Sequence, residues 1–154
     1  MGARTADLFI LEDEMKAVSD EVYFTSDDGT KGQKGLVSDI LKSLLAKDTK
    51  VDIVFAIGPP IMMMVIADLT RPFGIKTIAN LNPIMVDGMG MCGACRLTVG
   101  DEVKFACVDG PEFDGHKVDF DQAMNRTRLY KTEEGRLFLE AKEGDTHHGG
   151  CGNC

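Results

Sequence analysis

The sequence of 154 residues contains no tryptophan, and aromatic residues make up only 6% of it. So few aromatic side chains argue against a base-stacking platform for single-stranded nucleic acid and against an aromatic belt at a membrane surface. Basic residues are also in the minority, 17 against 25 acidic ones, which gives a formal net charge of −8. Because the basic residues are not clustered, we expect neither nucleic acid nor an anionic membrane as a partner.

Long apolar runs and the pattern of a signal peptide are also missing from the sequence. No apolar run approaches the roughly 18 residues that a membrane-spanning helix needs. The five cysteines are an odd number, and four of them form C-x2-C pairs, which does not suit a secreted disulfide framework. These features predict a protein of the reducing cytoplasm whose cysteines bind metal.

The stretch from 87 to 107, DGMGMCGACRLTVGDEVKFAC, has the pattern of an iron–sulfur site. Asp87-x4-Cys92-x2-Cys95 reproduces the plant-type 2Fe–2S spacing with a carboxylate in the first place, and Cys107 supplies the distant ligand. The glycines between them allow positive-φ turns that aim backbone N–H groups at sulfur. Two alternatives are a structural zinc site, since zinc accepts the same four ligands, and ordinary buried thiols.

Ahead of this motif, helical and strand patterns alternate along the chain. The spacing of apolar residues predicts helices at 7–17, 36–45 and 61–70, and strands at 21–25, 51–57 and 76–79. The strand at 51–57 is almost continuously apolar, as in a parallel strand that is buried on both faces. This alternation predicts an α/β fold, with a parallel sheet, flanking helices and right-handed crossovers.

After residue 79 glycines become frequent, and the pattern changes. It predicts a hairpin of strands 96–99 and 103–106, then a helix at 119–131 on which Arg126 and Arg128 form a solvated face or a docking surface. The predicted domains are an α/β domain at 1–79, a cluster-binding lobe with its helix at 80–131, and a flexible tail at 132–154. The tail contains Cys151 and Cys154 beside two histidines, and we interpret these as free side chains rather than as a metal site.

Three loops follow the predicted strands or open a helix at the edge where parallel α/β sheets bind their ligands. They are residues 2–5, 26–29 and 57–60. Each offers part of what a dinucleotide needs: close backbone approach at glycine, a helix N-terminus for negative charge, or carboxylates for ribose hydroxyls. Together they favour nucleotide contact, although a loop such as 26–29 is by itself more typical of a solvated turn.

Two runs resemble the ferredoxin–NADP reductase superfamily. The run AIGPPIMM at 56–63 is similar to its CGPxxM motif, and the sequence from 81 to 116 is similar to the C-terminal part of its electron-transfer subunits. Within the superfamily the likeness is to the small (alpha) subunits of NADH-dependent reduced ferredoxin:NADP oxidoreductases, or sulfide dehydrogenases. More distantly, the chain resembles the electron-transfer subunits of dihydroorotate dehydrogenase. The likeness extends from residue 2 to about residue 130.

The resemblance implies a role for particular residues. It implies a 2Fe–2S cluster held by Asp87, Cys92, Cys95 and Cys107, with Asp87 standing where the dihydroorotate dehydrogenase relatives have cysteine. It also implies that the following residues contact NAD(P): Arg4, Asp28, Gly29, Gly58, Pro59 and Met62. Ile57 stands where the wider superfamily often has cysteine, so no thiol is expected near the hydride path.

The resemblance further implies a partial ferredoxin-reductase-type nucleotide-binding sheet followed by a small iron–sulfur lobe. Members of the family begin with an FAD-binding β-barrel, then a strand and a glycine-rich turn, and this sequence opens after both. We therefore expect a fragment, a truncated reading frame, or one piece completed by another chain, with an exposed sheet edge and no activity alone. No side chain has the setting of an acid or base catalyst.

The function implied is that of an electron-transfer module in a bifurcating NAD(P)H:ferredoxin oxidoreductase. Its implied partner is a larger subunit with FAD and 4Fe–4S clusters, and ferredoxin takes part indirectly. One alternative keeps the fold and changes the acceptor to dihydroorotate dehydrogenase, a hydrogenase or a polysulfide reductase. The other alternative is a non-enzymatic module that binds zinc.

Overall fold

The computed structural model describes residues 1–47 and 49–143. The predicted tail residues Cys151 and Cys154 lie outside this part of the chain. The strands are β1 (Gly2–Ala3), β2 (Thr25–Ser26), β3 (Gln33–Lys34), β4 (Ile53–Ile57), β5 (Lys76–Asn80), β6 (Arg96–Val99), β7 (Glu102–Phe105) and β8 (Glu112–Asp114). The helices are α1 (Glu12–Val18), α2 (Val37–Ala46), α3 (Pro60–Thr70), α4 (Ala106–Asp109), α5 (Phe120–Arg126) and α6 (Lys131–Glu143), with 3-10 turns at Ala6–Leu8 and Arg71–Phe73.

The strands form three small sheets. One has the order β1-β2-β3 with all strands parallel, and the second has the order β4-β5-β8 with β4 and β5 parallel and β8 antiparallel. The third is the antiparallel hairpin β6-β7, whose register pairs Arg96 with Phe105. Parallel strands with flanking helices and a separate hairpin confirm the predicted α/β fold class. None of the helices described is both long and apolar enough to span a membrane.

Helix α3 organises the apolar core. It begins at Pro60, whose fixed φ suits the first turn of a helix, and it buries Met63 and Ala67 against β4 and β5. The same buried cluster continues through Ala79 on β5 to Leu97 on β6. One core therefore contains side chains from both sides of the predicted domain boundary at residue 79.

Strand β4 is less buried than its sequence predicts. Val54 and Ala56 face α3, but Phe55 is 58% exposed and Ile57 is 69% exposed. The prediction that this strand is buried on both faces is wrong for this chain, because no other described element covers its second face. Among the described strands, β4 is also an edge strand, with β5 as its one partner in the sheet.

Four other predictions differ from the structure. The predicted helix at 7–17 is interrupted at Leu11, whose φ of +54° is left-handed, and the predicted strand at 21–25 is reduced to the two residues of β2. The predicted helix at 119–131 ends at Arg126. Residues 132–143, predicted as part of a flexible tail, belong to helix α6.

Candidate iron–sulfur site and the neighbouring groove

A tight loop leads from β5 to the hairpin and contains three of the four predicted ligands. Gly88, Gly90 and Gly93 all have positive φ, between +65° and +80°, as the sequence predicts. A Cβ on Gly90 would lie 3.2 Å from Val108 Cγ2, which is a tight contact in addition to the positive φ. The loop can fold back on itself because these three positions carry no side chain.

The carboxylate of Asp87 is tied to this loop by two backbone hydrogen bonds. Its Oδ1 accepts from the N–H of Met89 at 2.9 Å, and its Oδ2 accepts from the N–H of Cys92 at 2.7 Å. These two bonds, first that of Met89 and then that of Cys92, lower the pKa of Asp87. The group is therefore an anion at neutral pH, and it lies beside the first cysteine of the motif.

The hairpin brings Cys107 to Cys95. The two Sγ atoms are 3.3 Å apart, and the N–H of Ala106 donates to the carbonyl of Cys95 at 3.2 Å. Cys95 is 2% exposed, and Cys107 is partly buried in the short helix α4. The hydrogen bond with Cys95 is the main cause that raises the pKa of Cys107, followed by desolvation, while the nearby charge of Asp87 adds a smaller contribution.

The four predicted metal ligands thus form two neighbouring pairs. Asp87 lies beside Cys92, and Cys95 lies beside Cys107, while the N–H of Ala94 donates to Cys92 Sγ at 3.4 Å. Within residues 1–47 and 49–143, no three His, Cys, Asp or Glu side chains are grouped tightly enough to hold one metal ion. A 2Fe–2S cluster would take four protein ligands, and these two pairs of donors would supply that number.

Four of the six residues predicted to contact NAD(P) line one groove. The groove has a volume of about 690 Å³ and lies between β1 and β4, with α2 and α3 along it. Arg4, Gly58, Pro59 and Met62 are part of its wall, which is otherwise mostly apolar. Gly58 has φ of +154°, and a Cβ there would lie 2.5 Å from Met62 Cε, so a larger residue would require the end of the Met62 side chain to move.

Asp28 and Gly29 lie outside that wall, in an exposed turn after β2. The carboxylate of Asp28 accepts hydrogen bonds from the N–H and the hydroxyl of Thr30, at 2.9 and 2.7 Å, and these bonds lower its pKa. Its neighbour Asp27 does line the groove. The carboxylate of Asp28 therefore lies outside the groove wall, although its backbone N–H donates to the carbonyl of Arg4, one of the four, at 3.3 Å.

Arg126 contacts the cluster loop, which the sequence does not predict. Its Nη2 donates to the carbonyls of Gly93 and Ala94, at 3.1 and 2.8 Å, and the side chain is partly buried. The prediction of a solvated or docking residue is therefore wrong for Arg126, whereas Arg128 is exposed. The only signal in the sequence is a basic residue in the last turn of a helix, which many helices have.

Comparisons with known proteins match the region of this site to an iron–sulfur domain. Residues 82–119, which include all four predicted metal ligands, match the family described as the iron–sulfur cluster binding domain of dihydroorotate dehydrogenase B. A Clostridium beijerinckii protein from the adh 3′ region is 55% identical over 154 residues, covering 99% of this chain and 52% of that protein. A Thermotoga maritima homolog of the dihydroorotate dehydrogenase B electron transfer subunit is 50% identical over 134 residues, covering 87% of this chain and 47% of that protein.

A solved structure of an NADH-dependent reduced ferredoxin–NADP oxidoreductase, described for its flavin-based electron bifurcation, has the same fold. It is 47% identical, with a TM-score of 0.80, and the match covers 92% of this chain and 50% of that one. The chain thus spans about half the length of the relatives that it matches. The predicted resemblance is confirmed: the chain is similar over nearly its whole length to about half of each of these proteins, and residues 82–119 match an iron–sulfur cluster binding domain.

Proposed function

We propose that this chain is an electron-transfer module of a bifurcating NAD(P)H:ferredoxin oxidoreductase. It passes single electrons between a flavin and a partner subunit through a 2Fe–2S cluster held by Asp87, Cys92, Cys95 and Cys107. The observation that carries this proposal is the contact of the Asp87 carboxylate with the backbone of Cys92 and of Cys95 Sγ with Cys107 Sγ, within residues that match an iron–sulfur cluster binding domain.

The ligand residues contribute charge, position and hydrogen bonds. A bound 2Fe–2S cluster supplies one-electron chemistry, which links a two-electron hydride donor to one-electron acceptors. Asp87 supplies a fourth anionic ligand, so the net charge equals that of a site with four thiolates, while its harder oxygen alters the potential. The N–H of Ala94 donates to Cys92 Sγ and stabilises negative charge on that sulfur.

An exposed apolar rim around the loop supports docking of a partner close to the cluster. Met91 is 82% exposed, and its neighbours Val86, Met89 and Val108 are also exposed. Contiguous exposed apolar side chains mark interaction sites, and methionines adapt to the shape of a partner. We infer that the larger FAD and 4Fe–4S subunit docks here, since an acceptor must approach the cluster to exchange electrons with it.

The groove between β1 and β4 supports the second part of the proposal, contact with NAD(P). Arg4 offers a positive charge at its wall, and Gly58 and Pro59 open helix α3, whose N-terminus favours a negatively charged group. We infer that the FAD site belongs to the half of the relatives that this chain does not match. We therefore expect complete activity only when that half is supplied.

Anaerobic purification of the chain tests the cluster. We expect a coloured protein with about two irons per chain and an EPR signal after reduction, because a 2Fe–2S centre is paramagnetic when it holds one extra electron. A colourless protein with one zinc per chain would refute the redox function. The unmatched half of the Clostridium beijerinckii relative, added to the loaded chain, tests the flavin step: NAD(P)H should bleach the cluster only in its presence.

Electron delivery to a dihydroorotate dehydrogenase is the second candidate function. It is favoured by the family match at residues 82–119, and Asp87 in place of cysteine weighs against it. The two functions differ in what the completed protein reduces. Reduction of ferredoxin without exchange of electrons with dihydroorotate supports the first, and the reverse result supports the second.

A further inference from the structure

Arg126 is outside the proposed ligand set, yet it holds the backbone between two of the ligands. Its Nη2 donates to the carbonyls of Gly93 and Ala94, the two residues between Cys92 and Cys95. We propose that Arg126 is a positioning residue that aims the N–H groups of this loop at the cluster sulfurs and thereby raises the reduction potential of the cluster. This inference rests on the proposed function.

Peptide geometry connects Arg126 to the sulfur. In a planar trans peptide, the C=O and the N–H point to opposite sides. The carbonyl of Gly93 and the N–H of Ala94 belong to one peptide. Because Arg126 holds that carbonyl, the N–H points to the other side of the loop, where it donates to Cys92 Sγ at 3.4 Å.

The next peptide follows the same rule. The carbonyl of Ala94, at 2.8 Å from Arg126 Nη2, shares its peptide plane with the N–H of Cys95. That N–H therefore also points away from Arg126. One guanidinium group fixes the orientation of two consecutive peptides, and both belong to the C-x2-C segment of the motif.

The burial of Arg126 argues against a role in folding alone. Its Nε is buried and has no hydrogen-bond partner among the described residues. An unpaired N–H of a buried charged group is costly, and an apolar side chain of similar size would fill the same space without that cost. The partly desolvated guanidinium makes stronger bonds to the two carbonyls, which suits a residue that holds the loop in one geometry.

The expected effect on the cluster follows from charge. Reduction adds one negative charge to the irons and their sulfur ligands, and N–H donors to sulfur stabilise that charge. The positive charge of Arg126, on the other side of the same peptides, acts in the same direction. Loss of Arg126 should therefore make reduction harder and shift the midpoint potential to a more negative value.

The test compares Arg126→Gln with Arg128→Gln in the full, iron-loaded chain, with the potential followed by EPR. Both variants remove one positive charge from the same region, but Arg128 is exposed. We expect a more negative potential in Arg126→Gln, a smaller shift of the same sign in Arg126→Lys, and no shift in Arg128→Gln. Equal potentials in Arg126→Gln and Arg128→Gln would overturn the proposal.

Amide hydrogen exchange in the iron-free chain gives a readout that does not need the cluster. Exchange at Ala94 and Cys95 should become about tenfold faster in Arg126→Gln and stay unchanged in Arg128→Gln, since hydrogen bonds from a charged donor are strong. If Arg126→Gln does not fold, Arg126→Lys takes its place, and unchanged exchange and potential in that variant would overturn the proposal. An unaltered chain that never binds iron would instead refute the proposed function.

Discussion

Replacing Gly93 by alanine should strain the backbone of the cluster loop, and the energy of that strain can be worked out from the structure. Gly93 has φ of +65°, and a residue with a Cβ pays about 1–2 kcal/mol in this left-handed region. A Cβ at Gly93 would lie 3.7 Å from Phe105 Cε1, which is an ordinary contact, so no steric cost adds to the strain. The expected loss corresponds to a factor of roughly 5–30 in an equilibrium constant.

This loss must appear in one of two measurements. If the iron-free loop keeps its geometry, the free energy of unfolding of the iron-free chain falls by about 1–2 kcal/mol. If the iron-free loop relaxes instead, unfolding changes little and the affinity for iron falls by the corresponding factor. The sum of the two changes should equal the strain, because the loaded loop requires the left-handed geometry in either case.

Gly74→Ala is the matched control. Gly74 has nearly the same φ, +64°, with nothing within 4 Å of an added Cβ, and it lies in the turn after the 3-10 segment Arg71–Phe73. It should lose a similar free energy of unfolding and keep its affinity for iron. The combined loss of unfolding free energy and iron affinity should be smaller in Gly93→Asn than in Gly93→Ala, since asparagine tolerates the left-handed region better.

Urea unfolding of the iron-free chains and iron titration of the refolded chains supply the two numbers. A Gly93→Ala chain in which both numbers match those of the unaltered chain would refute the reasoning. So would a Gly74→Ala chain that loses as much iron affinity as Gly93→Ala, because the effect would then not arise in the cluster loop.

Three further predictions concern the ligands and the tail. Asp87→Cys should still bind iron, because it restores a set of four thiolates, and complete loss of iron in this variant would count against Asp87 as a ligand. Cys92→Ser and Cys107→Ser should each lose the cluster or change its absorption spectrum, and unchanged iron content and spectra in both would disprove the ligand assignment. Removal of Cys151 and Cys154 together should leave the iron content unchanged, and a drop in iron would show that the tail takes part.

The cluster loop could be predicted from sequence because its geometry is local. Asp87 and Cys92 are five residues apart, and the loop glycines that join them take the positive φ expected of them. Cys107 is more distant, but the turn at residues 100–101 fixes the register of the hairpin, which returns the chain to Cys95. A short hairpin converts a spacing in the sequence into a contact in space.

The interrupted helix near the amino end could not be predicted in this way. The residues from 7 to 17 have good helical spacing, yet Leu11 turns left-handed and separates the 3-10 turn from α1. The break accompanies an edge-to-face contact of Phe9 with Phe24, whose ring centroids are 5.3 Å apart. Lys31 lies over both rings and forms an ion pair with Glu12. These partners come from beyond the helix, so tertiary contacts override the local pattern.

The contact of Arg126 with the cluster loop could not be predicted from the sequence for a related reason. Its bonds reach carbonyls 32 and 33 residues earlier in the chain, and backbone carbonyls leave no signature in a sequence. The pattern of helix α5 shows only that a basic residue stands near its C-terminus, where the helix dipole favours one. A prediction from charge pattern alone therefore places such a residue in solvent.

Strand β4 shows how a failed prediction can itself be informative. Its sequence is that of a strand covered on both faces, yet Phe55 and Ile57 are exposed. Within residues 1–47 and 49–143, β4 and β1 also each have an unpaired edge, and both strands line the same groove. Exposed apolar edges of this kind invite pairing with another strand, and soluble proteins usually cover them. Since the relatives are about twice as long as this chain, we expect their other half to cover this edge. The apolar sequence of β4 would then fit a strand that is covered on both faces when that other half is present. The iron–sulfur lobe, whose proposed ligands all come from residues 87–107, is the part that we expect to form without that cover.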